Sequence, residues 1–467
     1  MRLASLLLAL LPLAAAPVHA AEGPSPTRIP DAALATAAQL RATALQDNTG
    51  WDITESLTTE VGPRTAGSEA DARAVEWARA KFAELGFDKV WTEPVTFPKW
   101  VRRSQHAEVL GPHSQPLVLT ALGGSPGGTV EGQVVRFPDL ASLEQAAPGS
   151  LAGKIAFVDY RMERARDGHG YGPVSRIRYA GPSAAIRAGA VGYLMRSAGT
   201  DNHRVAHTGG TRFEDGLEPI PAAALSNPDA DQLARLVAID PATRVRVALD
   251  CGWDGEYTSQ NVIGEITGST RPDEVVLIAG HLDSWDEGTG AIDDAAGIGI
   301  TMAAAKLIAA LPERPARSIR VVAFANEEQG LHGGIAYAKA HAAELRKHAI
   351  MAESDFGAGR IYGFDAGVAG HADAAIAQIA GALEPLGVEW RPGEGDPESD
   401  IGPFAGAGAA WAWLGHDGSE YFDLHHTPDD TLDKIDPSAL KQNVAAYAVF
   451  TYLAAQAEGD FGSAPRE

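Results

Sequence analysis

Two short apolar runs, VVLIA at 275–279 and IRVVAFA at 319–325, flank a long segment rich in small residues, and this pattern constrains the fold most. Each run is bounded by glycine and polar turns, as expected for strands buried on both faces. The segment 294–311 is too long for a strand, and Ile298, Met302, Ala305 and Ile308 recur at helical spacing. The reading is strand, helix, parallel strand, so the sheet needs helices on both faces. His281, Asp283 and Asp293 follow the first strand; Glu327 and Glu328 follow the second. Ligands of open α/β sheets bind outside the carboxyl ends of the strands. Carboxylates and an imidazole crowded at that edge would repel and protonate without a cation, which points to a metal site.

The length of 467 residues predicts two or three domains, and 45% hydrophobic residues permit sizeable cores. A net charge of -23 argues against nucleic acid or an anionic membrane surface as partner. The start, MRLASLLLALLPLAAAPVHA, reads as a signal peptide over 1–20, giving a secreted or periplasmic protein with no membrane partner after cleavage. The lone Cys251 cannot form an intramolecular disulfide and reads as a buried thiol.

Helices are expected at 31–45, 51–61 and from Ser68 to Gly86, where Ser68 and Asp71 form a capping pair, and a strand at 89–97. Between His106 and Trp253 the character changes. Strands are expected at 129–137, 154–160, 191–195, 220–225 and 244–249, and helices at 183–188 and 228–238 behind an Asn227 cap. The loops 161–179 and 197–219 hold His169, His203 and His207, which read as solvated. Because the α/β pattern resumes at 261–266, residues 21–105 and 255–467 read as one discontinuous catalytic domain and 106–254 as an insert. Its order of GKIAFVDY, AAIRAGAVGYL and PAAALS is similar to protease-associated domains. Later come a strand at 349–354 ending at Asp355, a helix at 373–383, a Gly-rich loop at 391–402 and a strand at 409–414. The loop 415–430 carries His425 and His426, and Asp436 caps a terminal helix running through Ala455. The fold class is therefore α/β: a mixed, largely parallel sheet flanked by helices, with an inserted α/β domain.

Asp293 and Asp294 divide two tasks, one toward a metal and the other toward the start of the helix. In the pair Glu327-Glu328, one acid can bind metal while its neighbour takes a proton from water. Asp355 adds a carboxylate and His426 an imidazole. Two histidines and three carboxylates suit two divalent ions such as Zn²⁺.

The motifs HLDSW, GAIDD, NEEQG, ESDFG and HHTPDDTLD, with GPRTAGS near the start, resemble those of the co-catalytic zinc exopeptidases of the aminopeptidase and glutamate carboxypeptidase type. The extension Ser284-Trp285-Asp286 favours the carboxypeptidase Q branch. The resemblance implies one zinc on His281 and Asp355, a second on Glu328 and His426, and Asp293 bridging both. It implies Glu327 as general base, Asp283 orienting His281, and an unusual peptide bond at Asp293-Asp294. His425 is the less favoured ligand of its pair. The implied activity is hydrolysis of dipeptides or short peptides with a free end, with carboxypeptidase polarity left open, and Trp285, Ser399 and Asp400 in the specificity pocket. A single-zinc transferase of the glutaminyl cyclase kind and a metal-free binding protein are the rival readings. The insert suits a lid or a dimer surface, which leaves a homodimer open.

Overall fold

A computed structural model describes residues 25–463; the expected signal peptide lies outside the described residues. The two apolar runs form strands within an open mixed sheet. With β1 (Lys89–Leu110) and β2 (Arg244–Ile266) preceding them, they are β3 (Arg271–His281) and β4 (Arg317–Phe324). β3 and β4 pair in parallel, bringing Phe324 opposite His281. β5 (His348–Glu353) pairs in parallel with the other side of β3. Beyond it, β6 (Ile361–Gly367) is antiparallel to β7 (Trp411–His416), which runs parallel to β5. β2 flanks β4 antiparallel. Thus β3, β4 and β5 end at one edge.

Alternation in β3 explains its two covers. Val276 and Ile278 join the core with Ile298, Met302, Val444 and Ala448, while Val275, Leu277 and Ala279 pack with Tyr337 and Phe404. Helix α1 (Ala296–Ala309) is buried almost all round, as its uniformly small and apolar residues require. A side chain at Gly299 would lie 2.3 Å from Thr54 Oγ1, so glycine permits the helix at 49–56 to approach closely. The terminal helix α2 (Pro437–Gln456) begins where Asp436 accepts the Ser438 N–H at 2.8 Å, as its Asp-Pro start predicts.

β1 and β2 form one long antiparallel ribbon, from Lys89 opposite Glu265 to Leu110 opposite Arg244. Its far end carries a second α/β layer of parallel strands at Gly128–Phe137, Lys154–Val158, Gly192–Arg196 and Ala222–Leu225. The ribbon departs from the sequence reading, which ended β1 at Phe97 and split β2 into two strands. Positions 105/106 and 254/255 fall inside these strands. The ribbon is exposed at 253–256, and this stretch tolerates Trp253, Asp254 and Gly255 without an apolar rhythm. The helix expected at 183–188 starts twelve residues earlier, at Tyr171, because burial of Val174 and Ile177 overrides a sequence rich in Gly, Pro and Arg. The cap of the helix Asn227–Ile239 is Ser226, not Asn227. The strand β6, with its internal Gly363 and Asp365, was not expected.

Candidate metal centre

The strand ends supply the donors in order. His281 closes β3, and its backbone N–H donates to Asp294 Oδ2 at 3.0 Å. Asp294 Oδ1 accepts the Gly297 N–H at 3.0 Å, so this acid is spent on backbone. Asp293 is left facing the site, the division expected for the pair. The peptide between them is cis, matching the expected unusual bond. After β4, the backbone turns through left-handed Asn326, at φ +53°, a conformation asparagine tolerates well. Glu327 and Glu328 are thereby presented at the sheet edge.

Asp293 joins two groups of donors. Its Oδ1 lies 3.0 Å from His281 Nε2, which is 3.2 Å from Asp355 Oδ1. Its Oδ2 lies 3.0 Å from His426 Nε2, which is 2.9 Å from Glu328 Oε2. Within each trio the donor atoms lie within 4.8 Å of one another. Residues scattered between 281 and 426 therefore converge on two neighbouring groups of donors. These side chains are at most 11% exposed, so water cannot disperse their charge.

The electrostatics fit cations. Burial, with the nearby charge of Asp293, pushes the Glu328 carboxyl up to about 7. Burial and the charges of Asp355 and Glu328 hold Glu327 well above the usual carboxylate range. Although burial opposes their charged forms, the facing carboxylates lift His281 and His426 well above the ordinary histidine value. Glu328 Oε1 is buried without a hydrogen-bond partner among the described residues. Such a set takes up protons where divalent ions fit better, and its N/O donors suit zinc.

Surrounding groups fix this arrangement. His281 Nδ1 lies 3.1 Å from the Asp283 main-chain carbonyl and 3.7 Å from its carboxylate. The expected orienting contact is thus made by the Asp283 backbone. Its carboxylate instead accepts the Glu327 N–H at 3.0 Å, placing the neighbouring strand end. Asp430 Oδ1 accepts the N–H groups of Ala291 and Ile292, both at 2.7 Å, holding the turn that presents Asp293.

Arg64, in the GPRTAGS loop, has no individual role legible in the sequence. It is fully buried, and its guanidinium donates to the carbonyls of Leu282, Thr289 and Gly290 at 2.6, 2.7 and 3.0 Å. These carbonyls belong to the loop between His281 and Asp293, and no periodicity could have exposed that role. Arg64→Met is expected to cost at least about 3 kcal/mol of stability, because three buried acceptors lose a charged donor. Zinc affinity should fall about 10–100-fold, the scale for groups that orient metal ligands. Thermal unfolding and zinc titration check both; unchanged zinc affinity would make Arg64 structural only.

His207 corrects another reading. Expected in solvent, it is buried at 2% exposure, with Nε2 3.0 Å from His425 Nδ1. Loop composition concealed this because the long loop folds inward over the site. His425 stacks on His426 with centroids 4.0 Å apart, backing the ring that faces the carboxylates. Thr208 donates its N–H to the His426 carbonyl at 2.9 Å, across the left-handed backbone of His426. His169 and His203 remain largely exposed.

A cleft of about 450 Å³ opens over the donors, with Glu327, Asp355 and Ser399 on its walls. Trp285 is buried behind His426, with ring centroids 5.9 Å apart. Asp400 departs from the expected pocket. Its carboxylate accepts the Gly334 N–H at 2.9 Å and its own N–H donates to Glu353 Oε2 at 2.8 Å, so it braces the wall from behind.

Residues 261–451 match peptidase family M28. Over 413 residues the chain is 31% identical to carboxypeptidase Q of Mus musculus, spanning 87% of this chain and 86% of that protein. The crystal structure of a peptidase M28 precursor from Shewanella amazonensis SB2B has a TM-score of 0.90 at 51% identity, covering 94% of this chain and 100% of that one. BSAP, a zinc aminopeptidase from Bacillus subtilis, shares the fold, with a TM-score of 0.60 at 20% identity, covering 86% of this chain and 94% of that one.

Proposed function

The chain belongs to peptidase family M28 and is a zinc metallo-exopeptidase, and from that premise we infer that it hydrolyses dipeptides or short peptides with a free end at a two-zinc centre. The observation that carries this reading is the placement of Asp293, whose two oxygens each face a different histidine at 3.0 Å. One carboxylate between two donor trios suits a pair of ions rather than one.

His281, Asp355 and Asp293 would hold one zinc, and Glu328, His426 and Asp293 the other. When bound, the pair supplies a Lewis acid for the scissile carbonyl and acidifies water. Glu327 supplies the base. Its carboxylate lines the cleft with no hydrogen-bond partner among the described residues, while its N–H is fixed on Asp283. It accepts the proton of the attacking water and delivers it to the departing amine. Residues 106–254, read as an inserted protease-associated-like domain, close the cleft with Arg178, Tyr179 and Arg212.

Export rests on the N-terminal sequence; no described helix is long and apolar enough to cross a membrane. The test is release of amino acids from dipeptides free at both ends, blocked at the amine or blocked at the carboxylate, with and without a chelator. Chelator-sensitive cleavage lost on amine blocking is expected. Cleavage lost only on carboxylate blocking assigns carboxypeptidase polarity, and one zinc per chain overturns the two-ion centre.

A further inference from the structure

The two donor trios are held from different directions. His281 ends β3 and Asp355 lies just beyond β5, and among the described residues no hydrogen bond from the loop 197–219 reaches either. His426 has no strand behind it. It sits in a turn after the short helix Tyr421–Leu424, with left-handed backbone at φ +57°. A histidine in that region stays there only where its surroundings hold it. The hold comes from Thr208, whose N–H donates to the His426 carbonyl at 2.9 Å. Thr208 is itself fully buried, and its Oγ1 donates to the Ala121 carbonyl at 2.9 Å and accepts from Arg102 Nη2 at 3.2 Å.

Arg102 lies on β1 beside a shift of register against β2, and its side chain is only 4% exposed. Its guanidinium also faces Asp286 Oδ1 at 2.8 Å and Glu287 Oε2 at 3.2 Å. It lies 5.8 Å from the centre of the Trp285 ring, the ring that backs His426. A rigid planar fork of donors can hold a hydroxyl and two carboxylates in a single geometry. Arg102 thus ties the ribbon to both groups that fix His426, namely Thr208 and Trp285. The turn presenting Asp293 has separate supports in Asp430 and Arg64. We propose that Arg102 is a positioning residue for the second zinc: through Thr208 and Trp285 it sets His426, while the zinc of His281 and Asp355 does not depend on it. The proposal rests on the two-zinc reading and names what makes the two ions unequal.

Zinc titration of the metal-stripped full chain against a competing chromogenic chelator counts the equivalents bound and gives each affinity. Wild type is expected to bind two. Arg102→Met should bind one with wild-type affinity and the other about 10–100-fold more weakly, the scale for groups that orient metal ligands. Peptidase activity lost in this variant at low zinc should return when zinc is added. Thr208→Val is nearly isosteric and keeps the N–H that meets His426, removing only the link through Oγ1. It should weaken the same ion by about 3–10-fold, the worth of a buried hydrogen bond. Thermal unfolding establishes that each variant is folded, and if Arg102→Met is not, Thr208→Val decides. Equal weakening of both ions would mean a general loosening, and unchanged affinities would mean that Arg102 does not reach His426; either overturns the proposal. A single equivalent in wild type overturns the two-zinc reading instead. Crystal structures of wild type and the folded variant then decide, since the proposal requires His426 to leave Glu328 and Asp293 while His281 and Asp355 keep their places.

Discussion

Glu327→Gln is expected to retain its full zinc content and lose about 10²–10⁴-fold in kcat, the scale of a general acid–base group. Glutamine has nearly the same shape, and the backbone at this position is independently held. The Glu327 N–H donates to Asp283 Oδ1, and its carbonyl accepts the Gly330 and Leu331 N–H groups at 2.9 and 2.8 Å. Neither donor trio contains Glu327, so zinc binding has no reason to change. What disappears is the capacity to accept a proton at this point of the cleft wall. Kinetics on a cleaved dipeptide and elemental analysis of the same sample measure the two quantities. Activity within threefold of wild type would remove Glu327 from the reaction. Loss of zinc would make it a ligand and shift the role of base elsewhere.

How far the sequence discloses such a site depends on where the determining contacts lie. The β3–α1–β4 unit was legible because burial on both faces leaves an apolar run, and a buried helix leaves small residues throughout. Two strands paired in parallel and a third beside them then place His281, Glu327, Glu328 and Asp355 at one edge. His426 lies in a loop, 415–430 in the sequence reading, that obeys no periodicity, and only the resemblance to a motif chose it over His425. The contacts that orient the donors were less visible. Arg64 acts through carbonyl oxygens more than two hundred residues away, and His207 through a loop whose polarity suggests solvent. Asp283 illustrates the limit well: the correct residue, but its backbone carbonyl meets His281 while its carboxylate serves Glu327. The β1–β2 ribbon was misread for the complementary reason. Pairing across the exposed middle of the ribbon is satisfied by backbone hydrogen bonds and needs no apolar alternation.

Removing zinc with a chelator should abolish activity and reverse the pH dependence of stability. In the metal-free protein Glu328 holds its proton up to about 7, because burial and Asp293 disfavour its charge. The unfolded chain releases that proton near the ordinary value of about 4.3, so the folded state binds more protons in between and loses stability as pH rises. His281 and His426 act in the same direction. Their paired, protonated forms stabilise the fold below about 6.5, and that contribution is lost as pH rises through their elevated folded values. Asp293 is held low by both histidines, so its contribution is already complete above about 4 and is lost only on further acidification. Between pH 5 and 8 the chelated protein should therefore lose stability, with Glu328 alone contributing about 3 kcal/mol. Zinc replaces these protons and binds better as they leave, so the loaded protein should show a flat or rising profile over the same range. Thermal unfolding of both forms at pH 5.5 and 8 measures the contrast, and Glu328→Gln should flatten the slope of the chelated form. Parallel slopes in the loaded and chelated proteins would mean that the buried acids are not what the cations neutralise, and the charge argument for the metal centre would fail with them.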